Sequence, residues 1–430
     1  MKKVFLLMAT LLFVGAANAQ DKEALKAQKA AQKEAEALVK KAKQTYETSI
    51  ANPQYGRKET DFAKLEPAVS LIEQALTNEY TKNDMQTWKT AADIQVQYYT
   101  KYENEAKADE SARPKFIETA SKLVDYCVKY DDLLAANDKA KEEEKKLYHT
   151  QYQNLAINPC IQLLQAAQNY SNSDDKNDLV LGAKYADQFL NTMEKTHLMS
   201  DFSNDNLEDW KTYAKAFRAQ SYYNIPGTPE EKVVEVYTDL MSTKYKSIAY
   251  QSLANYYREK DQAKQNIYLQ KGVDDLKGNE EAKDLRANFA IILMQNQFQA
   301  KDYDNFLKTA AIIKEEMSDN ENAINAYLME GQMLFENQKY TDAEKVFLDA
   351  RAKYPDEPKG LLMAARCAWM NAQVNGSKKA DMDHAIQLFK DLEKENPEDP
   401  ELWGESLYIL YNNTQQAALA APYKKYYKPM

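Results

Sequence analysis

Apolar residues along this chain recur three and four positions apart and almost never alternate, which is the period of helices with one buried face. Phe116, Ala120, Leu123 and Cys127 are one such stripe, and Tyr250, Leu253, Ala254 and Tyr257 are another. The pattern predicts helices near 62–78, 84–105, 113–134, 138–170, 178–196, 206–223, 229–242 and 246–259. It continues with 262–275, 282–299, 303–317, 322–337, 341–354, 358–373, 382–395, 399–412 and 415–427. No interval needs a strand. Ahead of these, residues 21–49 read as a long charged helix with only a thin stripe of Leu25, Ala31, Ala35, Leu38 and Ala42. Such a stripe suits a helix that the protein covers only in part, or a coiled-coil contact, but charged helix faces are common and a solvated leader helix is the preferred reading.

Several boundaries carry their own punctuation. Asp84 and Asn206 can cap free backbone N–H groups, and Pro229 fits a first helical turn after Thr228. Pro159 removes a backbone donor inside 138–170, so a kink or break is predicted after Asn158.

Composition narrows the function classes. Ten glycines in 430 residues leave little material for phosphate-cradling loops, nucleophile elbows or tight hairpins, which need glycine for its positive-φ freedom. That scarcity argues against Rossmann, P-loop, hydrolase and all-β architectures. Met1 to Gln20 reads as a cleavable secretory signal, with Lys2 and Lys3 ahead of an apolar run from Val4 to Val14 and Ala17-Asn18-Ala19 as cleavage site. The mature chain would begin at Gln20 in a bacterial periplasm. No cysteine follows the cleavage site to take a lipid anchor, and no later run is long enough to span a bilayer. The net charge of -10 becomes -12 once the two lysines of the signal are gone, a poor match to nucleic acid.

Helix pairs about 35–45 residues apart mark an α-solenoid. Tyr303 and Tyr340, in DYDNF and KYTDAEKVF, open comparable second helices 37 residues apart. Within Ile324–Glu357, Tyr327, Gly331, Ala343, Phe347, Ala350 and Pro355 stand at offsets 4, 8, 20, 24, 27 and 32. This stretch resembles the tetratricopeptide repeat, with Glu330 where that family usually has Leu. A second unit carries Ala365, Ala385, Phe389 and Pro397 in the same roles, with an eight-residue insertion placed at its inter-helix turn, around Gln373 to Lys379. A third begins near Pro400 with Trp403 at the aromatic offset and a polar cap after it. The domain reading is a signal over 1–19, long helices over 20–200, degenerate repeats over 201–320 and tetratricopeptide repeats with a capping helix over 321–430. The fold class is all-α, a solenoid of stacked antiparallel helix pairs with a longer-helix N-terminal region.

The resemblance implies a protein-binding groove lined by successive first helices. Its offsets fall on Asn325, Leu328, Gln332, Phe335 and Glu336, then on Lys359, Leu362, Arg366, Trp369 and Met370, then on Glu401, Gly404, Tyr408, Tyr411 and Asn412. The strongest candidates among them are Gln332, Phe335, Lys359, Arg366, Trp369, Tyr408 and Tyr411, since aromatic and arginine side chains anchor interfaces. Packing against neighbouring helices is the competing role for Phe335, Leu362 and Trp369. The Lys/Asn carboxylate clamp of chaperone-binding members is not reproduced.

Catalytic chemistry finds little purchase. The three histidines, His149, His197 and His384, are scattered, and no HExxH, GxSxG or P-loop string occurs. Asp381, Asp383 and His384 begin a helix, where carboxylates meet its dipole, so capping is preferred to metal binding. His197 reads as a cation closing a helix. Cys127 and Cys160 fall on core positions, with a bond between neighbouring helices as the alternative. Tyrosine pairs such as Tyr98-Tyr99, Tyr222-Tyr223, Tyr256-Tyr257 and Tyr426-Tyr427 should each pack one ring and offer the other to solvent. The expectation is a non-enzymatic periplasmic scaffold for protein partners of the cell envelope, without cofactor, metal or nucleic acid. Binding of glycan or peptidoglycan by surface tyrosines is the alternative.

Overall fold

Most of the chain is committed to helix, because Ala, Leu, Lys, Glu and Gln dominate it and little in it bends. The computed structural model describes residues 2–50, 52–54 and 57–428, with side chains from Ala24 onward except those of 51–59. Two units separate by packing, Met1–Tyr245 and Lys246–Met430.

The first unit contains α1 (Lys2–Ser49), α2 (Phe62–Thr77), α3 (Met85–Ala108), α4 (Arg113–Ala135), α5 (Glu142–Ser171), α6 (Lys176–Lys195), α7 (Leu207–Asn224) and α8 (Glu230–Met241). Each helix packs on the next, and α5 also meets α7. Ala35, Val39 and Ala42 of α1 are buried while Leu25 is exposed, so this helix is covered in its C-terminal part rather than solvated throughout. Side chains of the proposed signal segment lie outside the described residues. No helix among the described residues is long and apolar enough to cross a membrane.

Three local expectations fail here, each for a physical reason. A two-stranded antiparallel hairpin follows α1, with β1 (Asn52–Gln54) pairing β2 (Arg57–Glu59) in register Asn52↔Glu59. Pro53 cannot extend α1 and biases its predecessor toward extended backbone. Secondly, α5 runs unbroken through Pro159. One backbone bond is lost, but Ala156, Pro159, Cys160 and Leu163 are buried in the core of α3–α7, and that burial outweighs it. Thirdly, Asn206 does not cap α7: its φ/ψ of -95°/1° leaves the extended region from which a cap side chain reaches forward, and its side chain makes no capping bond. Asp84 does cap α3, accepting from the N–H of Thr87 at 2.9 Å.

The second unit contains α9 (Lys246–Tyr257), α10 (Gln262–Asp275), α11 (Lys283–Gln299), α12 (Tyr303–Glu316), α13 (Ile324–Glu336), α14 (Tyr340–Lys353), α15 (Pro358–Val374), α16 (Lys379–Glu395), α17 (Gly404–Asn413) and α18 (Ala417–Ala420). It too is a solenoid of helix pairs. Gly331 of α13 sits directly against Phe347 of α14, where an added Cβ would lie 2.5 Å from the ring, and Phe347 is fully buried. Ala343, Ala350, Ala365, Ala385 and Phe389 are equally buried, as the repeat resemblance requires.

Most of the insertion lies in the helices, and the turn grows by only one residue, from Asn337–Lys339 to Asn375–Lys378. The α15 helix has 17 residues against 13 in α13, and α16 has 17 against 14 in α14. Nearly one helical turn has been added to each member of the pair, which preserves the buried face because a turn is 3.6 residues. The predicted closing helix is also different: four residues of α18 pass into a 3-10 segment, Ala421–Tyr426, with Pro422 near its start.

A recurring turn joins the pairs α11–α12, α13–α14, α15–α16 and α17–α18. In the second of these, Asn337 N–H donates to Met333 O, Gln338 to Phe335 O and Lys339 to Leu334 O. Equivalent triplets end at Asp302, Ser377 and Gln416. This C-terminal motif places one residue in left-handed backbone. Lys301, Gln338 and Gln415 adopt φ of 58°, 60° and 57°, and in the inserted pair two consecutive residues are left-handed, Gly376 at 81° and Ser377 at 56°. The turn therefore links α11–α12 to the consensus repeats although its sequence has drifted.

Candidate functional site

The groove residues predicted on the first helices of the second unit separate into exposed and packed groups. Gln332, Lys359 and Arg366 are exposed on α13 and α15, which are adjacent. Gln332 donates to Glu336 at 2.9 Å. Lys359 reaches Glu357 only at 4.0 Å, and Arg366, whose one polar contact is Met363 Sδ at 3.9 Å, has no carboxylate partner among the described residues. An exposed guanidinium with no ion pair is available to an incoming acceptor.

The aromatic candidates are largely taken up by the protein itself. Phe335 is half-buried, edge-on to Tyr340 at 5.1 Å. Trp369 is half-buried and meets Phe389 edge-on at 6.4 Å, and its buried Nε1–H finds no acceptor among the described residues. Tyr408 lies against Tyr427 at 4.9 Å. Tyr411 is not a surface residue: it is 8% exposed and stacks on Tyr423. The 3-10 segment folds back over the short α17, and the ring that a longer repeat would display becomes core. Of the tyrosine pairs only some divide: Tyr222 and Tyr223 are both half-buried, and Tyr426 is half-buried beside exposed Tyr427. Tyr99 and Tyr257 are buried beside half-buried Tyr98 and Tyr256, and the hydroxyls of Tyr98 and Tyr222 donate to Glu66 and Asp187 at 2.9 and 2.7 Å.

In the first unit the fold assembles a polar cluster from positions far apart in sequence. Asp131 on α4 is 1% exposed and accepts through both carboxylate oxygens, from His149 Nδ1 of α5 at 2.7 Å and His197 Nδ1 at 2.6 Å. His197 does not close α6, which ends at Lys195, but opens the 3-10 turn His197–Met199. Asp201, just beyond that turn, faces the other side of the His149 ring, 3.0 Å from Nε2. Gln153 Nε2 donates to Asp201 at 2.7 Å and to Leu198 O at 2.9 Å, fixing the turn. Burial disfavours charge on His149, but its bonds to Asp201 and Asp131 more than offset this and hold its pKa above the ordinary histidine value. The bond from His149, then that from Gln153, holds Asp201 below the usual carboxylate range. A pocket of about 310 Å³, lined by Glu142, Lys145, Lys146 and Ser200 among others, opens beside the cluster.

The other histidine cluster read from sequence is looser. His384 Nε2 lies 2.7 Å from Glu344, Asp383 pairs with Lys379, and Asp381 stands in the first turn of α16 without a capping bond. All three cysteines are free and buried.

No protein-family profile and no curated protein sequence matches the chain. Among solved structures, the tetratricopeptide domain of P58(IPK) is 14% identical, covers 88% of this chain and 99% of its own, with a TM-score of 0.24. Yeast Tom70 is 11% identical, with 91% of each chain covered and a TM-score of 0.24. Naa15/Naa10 bound to HypK-THB is 12% identical, covering 84% of this chain and 60% of that one at a TM-score of 0.23. Likenesses this distant bear on neither function nor site, and the fold rests on the helix pairs described above.

Proposed function

We propose that this chain is an exported, non-enzymatic repeat scaffold that holds a protein partner of the cell envelope on the first-helix face of α13 and α15. The observation that carries the reading is Arg366, exposed and without a carboxylate partner, beside exposed Lys359 and Gln332 on adjacent helices. A polar and basic strip beside half-buried aromatic rings suits a partner segment bearing carboxylates, since charge complementarity governs register and encounter. Export to the periplasm rests on Lys2, Lys3, the apolar run Val4–Val14 and the Ala17-Asn18-Ala19 cleavage site. Surface sugar binding is less well supported, because the tyrosine hydroxyls and rings are largely engaged within the protein.

Charge reversal at two exposed positions tests the reading without disturbing the core. The double variant Arg366→Glu, Lys359→Glu should keep wild-type helicity and lose at least about tenfold in recovery of partners from envelope extracts, roughly 1.4 kcal/mol. Equal recovery of the same partners would overturn the assignment of this face.

A further inference from the structure

We propose that Asp131, His149 and His197 form a binding site for a divalent first-row transition-metal ion of the zinc type. The geometry points to it in three ways. One ligand atom from each residue can be chosen so that all lie within 4.8 Å of one another. The acceptor at the centre, Asp131, is almost wholly buried, and its two oxygens each face an imidazole nitrogen. On its far side, His149 is held by a carboxylate, Asp201, which Gln153 orients in turn. A histidine whose second nitrogen donates to a carboxylate is the usual support of a metal-ligating imidazole, because it fixes both ring orientation and tautomer.

Two imidazoles and one carboxylate are a donor set of borderline softness that suits zinc and its neighbours rather than calcium or magnesium. The ion would take the place of the two Nδ1 protons that now lie between the rings and Asp131. Ligand atoms at the corners of a tetrahedron around zinc are about 3.3 Å apart, given bonds of about 2.0–2.1 Å. The present 2.6 and 2.7 Å separations need to open by about 0.6–0.7 Å, and ligand atoms spread over up to 4.8 Å must close toward the same spacing. His197, at 53% side-chain exposure on a short turn, can supply that movement. Asp201 addresses the opposite nitrogen of His149, so it supports the site from outside, and three protein ligands leave a fourth position for water on the pocket side. Bound metal would tie α4, α5 and the 197–201 turn together.

The test titrates chelator-treated full-length protein with zinc chloride against a chromophoric competitor, and repeats the loading with Co²⁺ for its visible spectrum. One equivalent of tightly held zinc is expected, with a four-coordinate Co²⁺ band. His197→Ala, at an exposed position, should retain the wild-type fold by circular dichroism, lose at least about 100-fold in affinity and abolish the band; Asp201→Asn should lose about tenfold. His384→Ala, at the other histidine cluster, should bind as the wild type does. Absence of saturable zinc uptake by the wild type, or unchanged uptake by His197→Ala, would overturn the site.

Discussion

Gly331→Ala isolates the contact on which the helix-pair packing of the second unit depends. A methyl group at this position would stand 2.5 Å from two atoms of the Phe347 ring and 2.7 Å from a third, where carbon atoms prefer about 3.5–4.0 Å. Phe347 is fully buried among Ala343, Ala364 and Cys367, so its ring has no space into which to turn. Overpacking of this kind costs about 1–3 kcal/mol, whereas alanine is favoured over glycine inside a helix by about 1 kcal/mol. Three ring contacts below 3.0 Å put the clash at about 2–3 kcal/mol, so the net expectation is a loss of about 1–2 kcal/mol in the stability of α13 and α14. A chain of two units has no single well-defined melting free energy, so the readout is hydrogen exchange of the 324–353 amides in the whole protein. They should exchange about 5–30-fold faster. Phe347→Leu, which trims the ring, should make the alanine tolerable, so that the double variant loses less than the two single losses together. Slower exchange in Gly331→Ala than in wild type would show that propensity alone operates, and strict additivity would show that the two residues do not touch; either would refute the packing.

Two further outcomes follow from other features. Gln338→Gly should slow exchange in the α13–α14 pair by an amount worth about 0.5–1 kcal/mol, because a residue with a Cβ is strained at φ 60° and glycine is not; faster exchange would show that the turn is not left-handed there. Burial pushes the phenols of Tyr46, Tyr126 and Tyr185 up to about 12. As pH rises past 10 the unfolded chain releases these protons and the folded chain does not, so stability falls with pH in that window. Ultraviolet titration should show phenolate from these residues emerging together with loss of helicity above pH 10; full ionisation with helicity retained would contradict their burial.

Helix positions were legible because a 3.6-residue stripe survives drift, and the buried positions Gly331, Ala343 and Phe347 were legible because they stand at fixed repeat offsets. Length changes were harder. The insertion reads as a turn if attention rests on Gln373 to Lys379, yet Leu361, Ala365, Ala368 and Ala372 keep helical spacing across the added residues and are all buried. Tyr411 follows an offset rule that presumes a full second helix, and here a 3-10 segment covers it. The cluster of Asp131, His149 and His197 was invisible because its members lie 18 and 66 positions apart from the central aspartate. Only the return of α5 along α4 and the turn after α6 bring them together. A usable signal was present nonetheless: His197 stands beyond the last apolar position of its helix stripe, in a turn rather than on a helix face.

The scaffold reading is tested most directly by photo-crosslinking in living cells, with a photoreactive residue placed at Arg366 on the first-helix face or at exposed Lys394 on α16, a second helix. Discrete protein adducts should form from position 366 and be absent from 394. Adducts of equal yield from both positions, or none from 366 in a protein that is expressed and folded, would contradict the assignment of a partner to this face.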